Sequence, residues 1–378
     1  MGEDILKIVK TERMANWDLL RSMSMFLVLV IHSTALLSSV FHGDRIPTAI
    51  NETLLVCDPV FFCLSGYFAI RPLKGTYSNY LLKKIRTVIL PLIIYIFPLY
   101  FVQIFLGGSI SIKTFIQFHH DYLFGGWWFI PELIPFLIIA PILYQMLEKL
   151  DDMYIRVAFL IVAVLSLWGT LSTFAEQLFL RCQMPVKATA VESLTRLFPT
   201  SVIPGSSYFI YFILGYFVRR VGTLCKRRYY LVVVTGIMAV VLSCLFAIFD
   251  FKRDDPNPMW IFSTFAIFEI FSHVNIRGIR SRRLLSWTAR RSYSIYLIQY
   301  TVISCVNKYV GIMNYITSAD WGLFPSTVAW FLQVVVAYAI SLLAVSIFDS
   351  TILRWVQYLL DHVVSVGVSA RHKLQQTL

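Results

Sequence analysis

Long apolar runs alternate along the chain with short polar joints, most of them basic. The runs are about 20 residues each, enough to cross a hydrocarbon core of about 30 Å. They predict helices over roughly 17–40, 52–70, 87–106, 131–148, 153–172, 206–220, 229–250, 259–275, 292–310 and 326–348. The fold class expected is therefore all-α: a polytopic membrane protein with about ten transmembrane helices. Residues 1–350 form one transmembrane domain, and 351–378 a short cytoplasmic basic tail. There is no internal repeat and no room for a separate soluble domain.

The joints set the orientation. Arg71, Lys74, Lys83, Lys84 and Arg86 follow the second run. Arg219, Arg220, Lys226, Arg227 and Arg228 follow the sixth, and six arginines between 277 and 291 follow the eighth. The alternate joints are poorer in cations. The bias of Lys and Arg toward the cytoplasmic side then places these basic joints and both termini inside. The joint after the fourth run, EKLDD at 148–152, is mixed in sign and says little.

Composition agrees. Hydrophobic residues make up 58% of the 378 and charged residues 14%, against about 25% in soluble domains, and the mean hydropathy is +0.70. The net charge of +12 lies in the joints rather than in a basic soluble domain. It points to topology signals and anionic lipid, not to nucleic acid. The six cysteines form no CxxC pair and fall mostly inside apolar runs, so neither a disulfide framework nor a metal site is expected. The first run is too long for a signal peptide and is expected to stay in the protein; the localisation expected is the plasma membrane, multi-pass.

Polar groups inside the runs carry the candidate chemistry. In RSMSMFLVLVIH, Arg21 and His32 are eleven residues apart. That is roughly 1,100° of rotation and about 16 Å of rise, so both share one helix face. Asp18 lies near the same face, placed to orient Arg21. Arg21 near the cytoplasmic side can be a snorkelling cation, but a histidine deep in the membrane is a mark of function. Ser65 and Gly66 sit in the second run, where the glycine also suits close helix approach. Lys83, Lys84 and Arg86 precede the third, as topology charge or as a cradle for phosphates. Trp128 and Glu132 stand at the outer start of the fourth run, where an acid also suits helix initiation. Tyr208 opens the sixth.

Taken in order, these stretches resemble the membrane-bound acyltransferase-3 family, the integral membrane O-acyltransferases of cell-surface glycans. The resemblance rests on Arg21-x10-His32, FFCLSGYF, KKIRTVILP, WWFIPEL, YFIYFILGYFVRR and SYSIYLIQ, and spans about 17–300. Two positions depart from the family pattern. Lys83 stands where the basic motif usually has an arginine, and Gln299 stands where a late histidine is usual.

The resemblance implies transfer of an acyl group, usually acetyl, from cytoplasmic acyl-CoA to a hydroxyl of an extracytoplasmic glycan or lipid-linked sugar. Arg21, Lys83, Lys84 and Arg86, with Ser65 and Gly66, would hold the donor. His32 would move the proton, since an imidazole can take and return one near neutral pH. Trp128, Glu132 and Tyr208 would face the acceptor. The absence of a Ser-His-Asp arrangement favours direct transfer. A polytopic transporter or exporter of a glycan or small molecule fits the same run pattern, and a polytopic glycan polymerase fits less well because the outer segments are modest.

Overall fold

A computed structural model describes residues 14–35, 45–196, 207–251, 255–312 and 322–362, and among these it is all-helical. The elements are α1 (Ala15–His32), α2 (Ile46–Leu54), α3 (Cys57–Ala69), α4 (Tyr77–Lys84), α5 (Leu90–Phe105), α6 (Ile112–Asp121) and α7 (Phe129–Glu148). They continue with α8 (Asp152–Arg181), α9 (Pro185–Thr195), α10 (Tyr208–Val221), α11 (Lys226–Ile248), α12 (Trp260–Ser272), α13 (Ile279–Tyr309) and α14 (Leu323–Phe348). Among the described residues five helical stretches are long and apolar enough to cross a membrane: Pro47–Ala69, Tyr77–Phe105, Phe129–Glu148, Lys226–Ile248 and Phe324–His362. Residues 36–40 of the first expected run and residue 206 of the sixth lie outside the described residues.

Local chemistry explains several boundaries. The Thr76 side chain accepts from the Asn79 N–H and so caps α4. Ser111 and Thr114 form a reciprocal capping box at the start of α6, a helix within a segment expected only as an outer connection. Gly222, at φ +67°, ends α10 in a conformation a side chain would resist. A π turn over Ile85–Ile89 joins α4 to α5, so the basic motif sits on a widened turn of one continuous helix. A second π turn, Asp349–Leu353, carries α14 on to His362, so position 350 falls inside a helix.

Two apolar cores hold the bundle. One gathers Met25, Leu29, Tyr95, Ile295 and Trp330 from α1, α5, α13 and α14. The other gathers Phe62, Leu64, Tyr211, Phe212 and Trp260 from α3, α10 and α12. Large apolar side chains such as Phe101, Phe105, Leu231 and Ile347 stay exposed, as lipid-facing positions do.

Ties between helix ends fall into two groups. Arg220 binds Asp152 at 2.7 Å and donates to the carbonyls of Leu147 and Leu150, while Tyr216 donates to Glu148. The EKLDD joint thus docks on the basic end of α10. Asn16, at the start of α1, donates to Phe271 O at the end of α12. The opposite ends meet one another: Arg181 reaches Phe249 and Asp250, Lys308 reaches Leu106 O, and Trp330 reaches Ser33 O.

Candidate active site

Between the two cores lies a chamber of about 640 Å³, lined from five helices by Arg21, Ser65, Lys83, Asp58, Arg290 and Tyr296, with apolar walls. Met25 and Val28 continue the Arg21 face of α1 along its wall. One turn beyond Val28, His32 meets Tyr300 of α13. The Tyr300 hydroxyl lies 2.9 Å from His32 Nδ1 and 3.2 Å from Nε2, and the ring centroids are 4.4 Å apart. A Cβ on Gly126 would stand 3.2 Å from the Tyr300 ring, so glycine there leaves room for this pair.

Beside the chamber, and sharing Arg290 with it, is a cavity of about 1060 Å³. Asp18 and Arg86 line it together with Arg282, Arg283, Arg291 and Arg354. Asp18 is buried and turned toward this cavity, while Arg21, three residues on, lines the chamber. Arg86 pairs with Asp361 at 2.9 Å.

At the far end, Trp128, Glu132 and Tyr208 come together in a third pocket of about 460 Å³ with Ser207 and Asp255. Tyr208 donates to Asp255 Oδ1 at 2.9 Å, and its ring centroid is 5.2 Å from that of Trp128. An aromatic wall beside carboxylates suits a polar, ring-shaped ligand.

Two expected donor-side residues are placed elsewhere. Lys84 points away from Lys83 and Arg86, with Nζ 5.3 Å from the centre of the Tyr80 ring, because successive residues on this helix diverge and Tyr80 is one turn earlier. Gly66 faces α10: a Cβ there would lie 1.8 Å from Phe212 O, and one on Gly215 would lie 2.1 Å from Cys63 O. The glycine serves helix contact, and its neighbour Ser65 faces the chamber.

The resemblance also drew attention to Gln299. It is fully buried on α13, and neither amide atom has a hydrogen-bond partner among the described residues. Among the described residues no group of three or more His, Cys, Asp or Glu side chains converges as metal ligands.

A model of the acyltransferase domain, Acyl_transf_3, matches residues 14–349. The chain belongs to the acyltransferase-3 family. It is therefore a membrane acyltransferase. No curated protein and no solved structure matches it.

In this acyltransferase, sequence reasoning passed over several residues of the three spaces and the partner of His32. Tyr293, Tyr296 and Tyr300 repeat at three and four residues, and Arg283, Trp287 and Arg290 do likewise on the same helix. That spacing marks a single helix face and was legible. Asp58 and Asp255 left no comparable signal, because both depend on contacts between helices.

Proposed function

We propose that this membrane acyltransferase moves an acyl group, acetyl by the family's habit, from cytoplasmic acyl-CoA to a hydroxyl of an extracytoplasmic glycan or lipid-linked sugar. It would do so in the plasma membrane, through about ten spans with both termini inside. The grouping of helix ends supports that topology, since the ends joined to one another are those expected on one side.

One observation carries the reading. The arginine-lined cavity shares Arg290 with a chamber whose α1 wall, through Met25 and Val28, runs toward the His32–Tyr300 pair. An extended thioester entering by the cations would bring its carbonyl along α1 toward the histidine. The acceptor oxygen then bonds to the carbonyl carbon and the carbon–sulfur bond breaks. His32 takes the hydroxyl proton and returns it to the departing thiolate. Tyr300 fixes the ring. Arg21 and Lys83, on the chamber wall, steady the anionic donor. The pocket of Trp128, Glu132 and Tyr208 receives the acceptor from outside.

The test is a labelled acetyl group. Membranes carrying the chain, given acetyl-CoA labelled in its acetyl carbon, should pass the label to a glycan or lipid-linked fraction. Label that remains on coenzyme A or is released only as acetate overturns the reading.

A further inference from the structure

The arginine-lined cavity contains more cations than topology needs. Six guanidinium groups, from Arg86, Arg282, Arg283, Arg290, Arg291 and Arg354, line it against the two carboxylates of Asp18 and Asp349. Asp349 is already engaged, accepting from Tyr95 at 2.6 Å and from Ser294 at 2.9 Å. Arg86 is held by Asp361. Among the described residues Arg283, Arg290 and Arg354 make no hydrogen bond or ion pair, and Arg291 Nε is buried without a partner while its Nη1 donates to Trp287 O at 2.9 Å. Arg291 also lies over the Trp287 ring, 4.3 Å from its centroid, which fixes the guanidinium at the cavity wall. Like charges gathered at close range repel, so this set is built for an anion that arrives from outside the described chain. The forked guanidinium matches phosphate oxygens two at a time.

We infer that this cavity is a clamp for the phosphates of a nucleotide, with Arg283, Arg290 and Arg354 as its free prongs, and that it sets donor specificity by reading the adenosine bisphosphate end of coenzyme A. This rests on the reading of the chain as acyl-CoA dependent. It goes beyond it, because these arginines lie outside the basic motif at 83–86 and do their selecting far from the thioester. A volume of about 1060 Å³ is at the upper end of small-ligand pockets, about 300–1,000 Å³. It admits a nucleotide, and a carrier protein that bears only phosphopantetheine would bring no adenosine phosphates to these arginines. The same phosphate chemistry is offered by anionic lipid headgroups at the membrane surface, and the experiment separates the two.

The full chain is placed in phosphatidylcholine nanodiscs, and binding of acetyl-CoA and of its 3′-dephospho form is measured. Hydrogen bonds to a charged group are lost with the 3′-phosphate, so the parent should prefer acetyl-CoA by about 10- to 100-fold. Arg283→Gln combined with Arg354→Gln should bring that ratio near one, and adenosine 3′,5′-bisphosphate should compete with acetyl-CoA in the parent but not in the variant. Both arginines are exposed, so the variant should fold. Arg196→Gln, at an exposed ion pair with Glu192, serves as a control and should keep the parental ratio. A parent ratio near one, or a variant that keeps the preference, overturns the clamp while the acyl-CoA reading stands. A parent that binds no acetyl-CoA at all overturns both. If phosphatidylglycerol added to the nanodiscs stabilises the parent but not the variant, while both prefer acetyl-CoA equally, the cavity belongs to lipid and the clamp is wrong.

Discussion

Tyr300 holds the edge of the His32 ring, its hydroxyl 2.9 Å from Nδ1, across the contact between α1 and α13. The histidine is thus pinned at the end of the α1 face that begins with Arg21. Loss of the base and loss of its holder should differ in degree. His32→Ala should lower acyl transfer by about 10²- to 10⁴-fold and leave acetyl-CoA binding near the parental value. Tyr300→Phe should cut turnover less, with the donor KM unchanged. Moving the histidine one position, by Ile31→His in a His32→Ala background, turns it about 100° around the helix and should not restore transfer. Parental turnover from His32→Ala would remove the histidine from the chemistry.

Gly66 and Gly215 let α3 and α10 touch through their backbones. Gly66→Ala drives a Cβ to 1.8 Å from Phe212 O, a backbone atom that cannot swing aside. Overpacking of this kind costs about 1–3 kcal/mol or more. Thermal unfolding in detergent should show a lower midpoint for Gly66→Ala and for Gly215→Ala, with less protein recovered from membranes. An unchanged midpoint would mean that the helices separate without penalty.

How much of this was open to inspection of the sequence differs by level. The helical runs were legible because their apolar length and periodicity are local properties. Arg21 and His32 could be placed on one face by arithmetic alone, and Trp128, Glu132 and Tyr208 were named from motif positions that the fold brings into one pocket. Lys84 was grouped with Lys83 and Arg86 by adjacency, yet adjacent helical residues point apart and a π turn begins at Ile85. The arginines of α13 were read as topology charge because a cation count does not say whether the charges converge. Asp58 emerged only from packing, since a lone acid in a run carries no pattern.

Gln299 is a buried amide, and among the described residues neither of its polar atoms is satisfied. Leaving such a group without partners costs about 1–3 kcal/mol. Gln299→Met keeps the length and removes the polar atoms, so it should raise the thermal midpoint. A lowered midpoint would show that the amide has a partner in the working state, and Gln299→His would then be the informative comparison.

Orientation can be read with membrane-impermeant thiol reagents. Cysteines placed at Ser109 and Ser193 should label from outside intact cells. A cysteine at Ser281 should label only after the membrane is opened, because it lies among the arginines of the joint at 277–291. Labelling of Ser281→Cys from outside would invert the protein and move the arginine cavity to the wrong face for a cytoplasmic donor.

Asp58 lines the same chamber as Arg21, Lys83 and Arg290, yet its only hydrogen-bond donor among the described residues is the neighbouring Cys57 thiol, at 3.6 Å. No cation lies within ion-pair distance of it among those residues. A carboxylate in that condition inside a membrane protein is expensive to keep, and such groups mark substrate paths. Asp58→Asn preserves shape and removes the charge. If Asp58 awaits the acceptor, this variant should lose at least about tenfold in transfer, the size of one charge-assisted hydrogen bond, while acetyl-CoA binding is unchanged and the thermal midpoint is equal or higher. Asp58→Glu should recover part of the rate. A purely structural carboxylate predicts the opposite pair of readings, a lower midpoint with turnover per folded molecule intact. Transfer at the parental rate in well-folded Asp58→Asn would leave this chamber acid without a part in the reaction.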